Sequence, residues 1–257
     1  MSKIKLSDLP TRAPKDVEKK VIKKEVAKLA DKIKELATKM YANKKHSLLV
    51  VLQGMDSSGK DGVSRNVFSK VSPTMVSAYS FKKPTDEEFA HDFLWRCHKQ
   101  TPAKGEIKIF VRSHYEDVLI QRVHNWIDEE RVDMRINAIN AFEELLEKDN
   151  DTIVMKFFLN LSYERQKEKL IERIEIPEKN YKHNDGDWEQ RKLWSKYMDA
   201  YENVLNKSKI PWIPVPADQR WYRNYFVAQK VLEKLESLNM EYPTLKAAPN
   251  FDYKNAD

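Results

Sequence analysis

One segment constrains the fold more than any other: the letters G-M-D-S-S-G-K-D at residues 54–61, directly after the apolar run 48–52. The pattern G-x-x-x-x-G-K is that of a phosphate-binding loop, and the context of strand, glycine-bounded turn and helix gives it meaning. The glycines permit a tight turn whose N–H groups point at phosphate oxygens, and the following helix adds the positive end of its dipole. The segment therefore predicts a strand, a phosphate-binding turn and a helix, in that order.

The acids of this loop depart from the usual pattern. Most such loops place Ser or Thr directly after the lysine, where the hydroxyl binds magnesium. Here Lys60 is followed by Asp61, and Asp56 lies inside the loop. Carboxylates in place of a hydroxyl indicate that the metal and the phosphates are handled differently in this chain.

Composition narrows the class of protein. Only 5 of the 257 residues are glycine and 33% are charged, which favours an α/β chain with long solvent-facing helices over an all-β one. The net charge of +6 fits either a well-solvated surface or an anionic partner such as nucleic acid, a nucleotide or another polyphosphate. The one cysteine, Cys97, excludes an intrachain disulfide, and its apolar neighbours predict a buried thiol.

The same composition bears on where the protein works. The charged amino terminus, residues 1–20, has no apolar core, so it is not typical of a signal peptide. No apolar run approaches the ~20 residues needed to span a bilayer. We therefore expect a cytoplasmic protein with no membrane partner.

Strand and helix patterns alternate along the whole chain, which favours a parallel sheet with helices on both faces. Besides 48–52, buried strands are predicted at 75–79, 107–111, 152–158 and 212–215. Helices are predicted at 15–43, 60–70, 85–99, 114–147, 162–174, 187–207 and 221–238. Three prolines around 212–215 predict that the last strand is short or lies at an edge. No linker or repeat divides the chain, so we predict a single domain, 1–257.

Charged residues follow the strand predicted at 107–111. Arg112 stands where a parallel sheet binds its ligand, and its planar fork suits oxyanions. Glu116 and Asp117 offer hard oxygen ligands for Mg²⁺, or they simply favour the first turn of the next helix. For His114 we favour a structural position over a role as a base.

Two further basic segments are candidates for contacts with anions. Lys82 and Lys83 follow the second predicted strand and form either an anion clamp or two solvated loop lysines. A polar segment at 176–188 interrupts two helices; Lys182 lies within it, and Arg173 just before it belongs to the same cluster of cations. Such a segment is either a lid that excludes water from a phosphoryl-transfer site or a plain interhelical loop.

Together these motifs resemble one family, polyphosphate kinase family 2, the polyphosphate:nucleotide phosphotransferases. The resemblance covers residues from about 15 to about 240 and rests on F-K-K-P-T, F-V-R-S-H-Y-E-D-V-L and Y-K-H-N-D-G-D-W at 81–85, 110–119 and 181–188, besides the loop at 54–62. It implies a three-layer, thymidylate-kinase-like phosphate-loop fold. Its elements are a five-stranded, mainly parallel sheet, helices on both faces and a helical lid at about 174–190.

The resemblance also implies an activity. It implies transfer of a terminal phosphoryl group between inorganic polyphosphate and nucleotides, dependent on Mg²⁺ or alternatively Mn²⁺. AMP and ADP become ADP and ATP, with guanine nucleotides as a further option, and the S-H-Y-E-D letters resemble the subgroup that accepts both mono- and diphosphates. The family suggests a homo-oligomer, a dimer or a tetramer.

Two other functions compete with this one. An ATP-dependent nucleotide or small-metabolite kinase could use the same loop for a nucleoside triphosphate. A nucleic-acid-binding module is less well supported, because the lysines are scattered along helices without a compact aromatic and basic patch.

The predicted site combines catalytic, metal-binding and phosphate-binding residues. We expect Asp56, Lys60, Arg112 and Glu116 to be catalytic, and by resemblance Asp56 binds the metal, Lys60 holds phosphate and Arg112 steadies the transferring group. Many members of the family have Asp where this chain has Val111, so a second metal ligand is expected at Glu116 or Asp117. The predicted phosphate- and polyphosphate-binding set is Gly54, Ser57, Ser58, Gly59, Lys60, Asp61, Gly62, Lys82, Lys83, Arg112, Arg173 and Lys182. Candidates for stacking on the base are Phe81, Tyr115 and Trp188.

Overall fold

The computed structural model describes residues 3–244, and within them five strands form one sheet. The strands are β1 (Ser47–Gln53), β2 (Val76–Ser80), β3 (Ile107–Val111), β4 (Thr152–Asn160) and β5 (Trp212–Pro216). Their spatial order is β2-β3-β1-β4-β5, and every neighbouring pair is parallel. The predicted parallel sheet is confirmed, as is the position of the proline-rich last strand at an edge.

Helices connect the strands in sequence. They are α1 (Lys19–Asn43), α2 (Lys60–Val67), α3 (Asp86–Ala90), α4 (Trp95–His98), α5 (Glu116–Val123), α6 (Glu129–Lys148), α7 (Tyr163–Glu175), α8 (Asp185–Lys192), α9 (Trp194–Lys207) and α10 (Arg220–Glu236). Short 3₁₀ turns occupy Leu6–Asp8 and Pro177–Lys182. The predicted single domain stays a prediction, and its residues 1–2 and 245–257 lie outside the described residues.

Three of the predicted helices are wrong in extent, because each is two helices: those at 85–99, 114–147 and 187–207. The break in the longest of them has a local cause. Asn125 takes a left-handed conformation with φ of 54°, which ends the first helix. The side chain of Asp128 then accepts a hydrogen bond from the Arg131 N–H at 2.8 Å and starts α6 as its N-cap.

The sheet is buried on both faces, and β1 shows why its sequence is apolar without alternation. Leu49 and Val51 pack into the core on one face, with α5, α6 and α9. Leu48, Val50 and Leu52 pack into the core on the other face, with α1, α2 and α10. Because successive side chains point to opposite faces, a strand between two helical layers has to be apolar throughout. The predicted three-layer α/β architecture is therefore confirmed.

The amino-terminal segment lies across the carboxyl ends of β4 and β5. The side-chain amide of Asn160, at the end of β4, donates to the carbonyls of Leu9 and Pro10 at 3.2 Å. Asp218, just after β5, accepts from the Thr11 hydroxyl at 3.0 Å and from the Ser162 N–H at 2.8 Å. One buried carboxylate thus joins the amino-terminal segment to the start of α7, at the edge of the sheet where the phosphate-binding loop lies.

The fold bears on two predictions, the buried thiol of the cysteine and the expectation about membrane-spanning segments. Cys97 is fully buried in a core cluster, and burial raises the pKa of its thiol to about 12, which confirms the buried thiol. None of the helices in the described part of the chain is both long and apolar enough to cross a bilayer.

Two alanine substitutions on α1 test how this helix is held. Ile33 is fully buried, so Ile33→Ala is expected to lower the free energy of unfolding by about 2–5 kcal/mol through lost burial and a residual cavity. Val21 on the same helix is 53% exposed, so Val21→Ala should change it by less than about 0.5 kcal/mol. Urea denaturation of both variants measures the difference. Equal losses would show that α1 does not pack as described.

Candidate active site

The turn between β1 and α2 needs a glycine at the position where the turn contacts α10. Gly59 ends the turn with φ of 96°, in the left-handed region, and caps α2. A Cβ at this residue would lie 2.0 Å from Nη1 of Arg223, so no larger side chain fits. Ser57 also has a positive φ, 66°, which is a strained conformation of the kind that concentrates at functional sites.

The lysine of the loop lies folded against the turn. Its Nζ atom donates to the carbonyl oxygens of Gly54 at 2.7 Å and Met55 at 3.2 Å. Lys60 itself is almost fully buried. The charge of Lys60 therefore lies against the turn, which is the part that binds phosphate in loops of this kind.

Arg112 meets the loop acid, as expected for neighbouring strands whose carboxyl ends share one edge. Its Nη2 atom lies 2.5 Å from Oδ1 of Asp56 in a charge-assisted hydrogen bond. The backbone of Arg112 has φ of 60°, although its N–H still donates to the carbonyl of Leu52 at 3.1 Å. An arginine held in a left-handed conformation next to a strained loop is a second marker of a functional site.

The two carboxylates of this site have pKa values displaced in opposite directions. Burial by itself raises the pKa of Asp56, but the charges of Lys60 and Arg112 outweigh burial and hold this pKa below its usual value. Burial raises the pKa of Glu116, and the same two cations oppose it without overcoming it. Asp56 is thus the carboxylate that stays fully ionised at the loop.

Behind the loop lies a fully buried cation. Nη1 of Arg223, on α10, donates to the carbonyl of Ser58 at 2.8 Å, and the side-chain oxygen of Asn224 accepts from its other nitrogens. Within residues 3–244 no carboxylate forms a salt bridge with Arg223. Burial, together with Arg220, lowers the pKa of its guanidinium to about 10, which leaves it charged at neutral pH.

Helix α7 contacts the loop from another side. Nε2 of Gln166 donates to the carbonyl of Asp56 at 3.1 Å, and Nζ of Lys169 donates to that of Ser57 at 3.3 Å. Burial, followed by the charges of Arg223 and Arg165, lowers the pKa of Lys169 to about 7. Lys169, Arg223 and Arg165 thus place several cations close to the loop.

A cavity of about 370 Å³ opens in front of these groups. Among the described residues, its wall has ten cations and four carboxylates, an excess of six positive charges. The cations are Lys60, Arg65, Arg112, Arg165, Lys169, Arg173, Lys179, Lys182, Arg220 and Arg223. When Lys169 is protonated, this excess creates a positive potential that favours the binding of an anion. We call this space the loop cavity.

A second, larger cavity of about 870 Å³ adjoins the first. It lies between α1, α7, α10 and the amino-terminal segment, and Arg12, Lys19 and Lys23 add cations to its wall. Arg165 and Arg220 line both cavities. The positively charged surface therefore continues from the loop cavity into this second space, which we call the distal cavity.

The segment predicted as a lid, 174–190, is helical for most of its length and lies beside the loop cavity. It contains the end of α7, the 3₁₀ turn Pro177–Lys182 and most of α8. Arg173 joins its two halves, since Nη1 pairs with Asp187 and also donates to the carbonyl of Lys182 at 3.0 Å. Arg173 and Lys182 both line the loop cavity.

The structure brings most of the predicted site residues together and leaves three apart. Asp117 is buried with its carboxylate 3.2 Å from Nη2 of Arg96 and 2.6 Å from Nε2 of Gln121. It is therefore occupied away from the loop, whereas Glu116 lies close enough to Arg112 and Lys60 for both charges to act on its pKa. Lys82 and Lys83 are exposed after β2 and do not line the loop cavity.

Burial excludes two of the three aromatic side chains predicted to stack on the base, and it agrees with a structural role for the histidine. Phe81 is 1% exposed and packs edge-on against Phe110, and Tyr115 is fully buried, so neither can stack on a base. Trp188 is partly exposed on α8 and remains a candidate. His114 is fully buried with Nε2 3.2 Å from Oε1 of Glu143, which confirms the structural histidine.

Besides Lys179, which lies in the segment predicted as a lid, five cations at the loop cavity were not anticipated: Arg65, Arg165, Lys169, Arg220 and Arg223. A signal for two of them, Arg165 and Lys169, exists in the sequence. Arg165, Lys169 and Arg173 recur every four residues and so share one face of α7. Arg220 and Arg223 lie in the first turn of α10, at the same edge of the sheet as the loop, but no local pattern marks them as part of the site.

The donor groups present fit a magnesium ion that shares its ligands with phosphate. Within residues 3–244 no three His, Cys, Asp or Glu side chains converge closely enough to hold a metal by themselves. Mg²⁺ usually takes one or two carboxylates and completes its shell with phosphate oxygens and water. At the loop, the side-chain oxygens of Gln53, Ser57 and Ser58 are buried without a hydrogen-bond partner. Unpartnered buried oxygens mark the loop as a polar ligand site.

Comparison with known proteins identifies the family. The family model described as polyphosphate kinase 2 matches residues 16–243. The chain belongs to the polyphosphate kinase 2 family. The resemblance recognised in the sequence motifs is thereby confirmed, and polyphosphate kinase 2 proteins provide the context for the cavities described above.

Individual relatives agree over nearly the whole chain. A Meiothermus ruber protein named AMP/ADP-polyphosphate phosphotransferase is 44% identical over 87% of this chain and 84% of its own length. A Rhodopseudomonas palustris protein named ADP-polyphosphate phosphotransferase is 38% identical over 94% of this chain and 89% of its own. The crystal structure of polyphosphate kinase 2 from Arthrobacter aurescens TC1 superposes with a TM-score of 0.93 at 38% identity, covering 97% of this chain and 91% of that one.

The lowered pKa of Lys169 predicts a pH-dependent affinity for anions. Below about pH 7 the ammonium is charged, and above it the charge is lost, so binding of inorganic polyphosphate should weaken as pH rises from 6 to 8.5. Linkage to one proton limits this part of the effect to about tenfold per pH unit.

Calorimetric titrations of the wild-type protein and Lys169→Arg measure the effect. Arginine keeps its charge throughout this range, so the variant should show a flatter pH dependence while both proteins experience the same titration of the ligand. Parallel curves for the two proteins would contradict the assignment.

Proposed function

We propose that this protein transfers a terminal phosphoryl group between inorganic polyphosphate and adenine nucleotides, forming ADP and ATP from AMP and ADP. Membership of the polyphosphate kinase 2 family and the names of the relatives support this activity. The structural observation that carries it is the continuous positive wall from the loop cavity to the distal cavity. Guanine nucleotides are a further acceptor to be compared.

The shape of this wall favours polyphosphate over a nucleoside triphosphate as the donor. The excess of six formal positive charges at the loop cavity serves donor and acceptor phosphates together, so by itself it suits either donor. The distal cavity adds three cations beyond the loop, Arg12, Lys19 and Lys23, against one further carboxylate, Glu168. A surface of this length and sign suits a long uniform polyanion, whose phosphates occupy successive cations.

The chemistry requires positioning and charge neutralisation more than a reactive side chain. The N–H groups of the loop and Nζ of Lys60 hold the donor phosphates, and the guanidinium of Arg112 neutralises charge that spreads over the transferring oxygens. The acceptor phosphate of AMP or ADP is already ionised at neutral pH, so no strong base is needed. Arg173 and Lys182, which line the loop cavity, suit the acceptor's phosphates.

Asp56 and Glu116 are the carboxylates that would hold Mg²⁺, or Mn²⁺ in its place. Asp56 stays ionised at the loop, and Glu116 lies near enough to feel the charges of both Lys60 and Arg112. When bound, the ion neutralises and orients phosphoryl oxygens. Val111 ends β3 at the wall of the cavity and cannot bind a metal, so we assign the second ligand to Glu116.

The assembly and compartment are part of the same proposal. Met134 and Leu145 on α6 are 53% and 52% exposed and lie eleven residues apart, so they share a face that supports self-association as a dimer or tetramer. The free, buried Cys97 and the use of adenine nucleotides support a cytoplasmic protein. Light scattering of the purified protein measures the oligomeric state.

The test of function is direct. Purified protein is supplied with Mg²⁺, long-chain polyphosphate and either ADP or AMP, and the formation of ATP or ADP is followed. ATP from ADP supports the proposal, and ADP from AMP extends it to monophosphates. If no nucleotide is phosphorylated, while ATP-dependent transfer to another acceptor is robust, the alternative of an ATP-dependent kinase replaces the proposal.

Arg112→Lys tests the role of the guanidinium. Lysine keeps the charge but loses the planar fork, so kcat is expected to fall on the order of 10²-fold, while the KM for the nucleotide changes little. Steady-state kinetics with ADP as the varied substrate measures both. Arg131→Lys, at an exposed arginine on α6, is the matched change of a guanidinium into an ammonium and should leave both constants unchanged. Equal changes in kcat and KM for Arg112→Lys would count against a role in the transition state.

A further inference from the structure

A buried ionic network lies under the segment that joins Arg112 to Glu116. Nζ of Lys156, in β4, is 2.6 Å from Oε2 of Glu143, on α6. The hydroxyl of Tyr115 donates to Oε1 of the same carboxylate at 2.9 Å and accepts from Lys156 at 2.6 Å. Nε2 of His114 lies 3.2 Å from that Oε1 atom. All four side chains are fully buried.

This pair is not explained by stability. Removing two opposite charges from water has a large desolvation cost, and well-packed apolar residues of similar volume usually give equal or greater stability. Burial by itself raises the pKa of Glu143, but the hydrogen bond with His114 and the charge of Lys156 outweigh burial and keep it ionised. A costly charged pair in the middle of a core therefore calls for another reason.

The location of the network supplies one. His114 and Tyr115 are the two residues between Ser113 and Glu116, and their side chains point into the core while Arg112 points to the loop. The Tyr115 hydroxyl also lies 3.2 Å from Oγ of Ser208, which accepts from the Trp212 indole at 2.9 Å. The dipeptide is thus fixed to β4, to α6 and to the start of β5.

We propose that Glu143 and Lys156 are positioning residues for phosphoryl transfer, because they anchor His114–Tyr115 and thereby hold Arg112 and Glu116 in place on either side. The left-handed backbone of Arg112, with φ of 60°, needs such an anchor, since an arginine is not stable there by itself. The inference rests on the proposed function for its kinetic readout, because the reaction followed is the one proposed above. The anchoring of residues 114–115 itself does not depend on that function.

The test compares an apolar double variant with a matched control. Glu143→Leu with Lys156→Met removes the charges at similar volume. Ser47→Ala with Thr152→Val removes a buried hydrogen bond of 2.8 Å at the opposite end of β1 and β4. For the first variant we expect a folded protein with a lower unfolding midpoint, because His114 loses its hydrogen-bond partner in the core. Well below that midpoint we expect a kcat lowered by about tenfold or more and a KM for ADP within about twofold of wild type, because small displacements of a catalytic group are costly. The control should keep the kcat of the wild-type protein well below its unfolding midpoint.

A second readout needs no turnover. Hydrogen–deuterium exchange of peptides covering residues 110–119 should be faster in the double variant and unchanged in the control. Tyr115→Phe, which removes one hydroxyl, should show the same two effects more weakly, and it decides the question alone if the double variant does not fold. Wild-type kcat and unchanged exchange in the deciding variant overturn the proposal, as does an equal loss of kcat in the control.

The two proposals fail in different ways. If the wild-type protein forms no ATP from polyphosphate and ADP, the proposed function fails and exchange over 110–119 alone judges the anchoring. Unchanged exchange then overturns it, and faster exchange confined to the double variant and Tyr115→Phe supports it.

Discussion

The carboxyl edge of the sheet depends on one contact, the guanidinium of Arg223 against the back of the phosphate-binding loop. It donates to the Ser58 carbonyl at 2.8 Å, and Gly59 and Gly62 leave room for it. No carboxylate in the described residues neutralises Arg223 by a salt bridge. Its uncompensated charge therefore raises the electrostatic potential at the phosphate-binding turn in front of it. A turn held from behind by a cation offers an anion both hydrogen bonds and uncompensated charge.

How much of this could be predicted from the sequence follows from the range of each signal. The sheet, the loop and the approach of Arg112 to Asp56 were predictable, because a strand, a glycine-bounded turn and the shared edge of parallel strands are local or topological signals. Asp117 was not, because Arg96, 21 residues away along the chain, engages its carboxylate. Arg223 lies 165 residues from Ser58, and no local pattern signals such a contact.

The loop cavity and the buried network beneath it use charge in opposite ways. At the loop, cations exceed carboxylates, and the imbalance creates affinity for an anion. Around Glu143 and Lys156 opposite charges pair at short distances, so the network has no excess of cations, and in our proposal it fixes geometry. The motif R-S-H-Y-E-D, residues 112–117, takes part in both: its first residue meets the loop and its middle residues enter the network.

The two cavities share Arg165 and Arg220 in their walls, and this has a consequence for a polymeric donor. Every internal unit of polyphosphate is chemically the same, so cations cannot distinguish one register of the chain from the next. After the end unit has been given up, the remaining chain can advance by one unit and regain the same set of ion pairs. A donor bound in this way would be consumed processively, one unit after another, without leaving the protein.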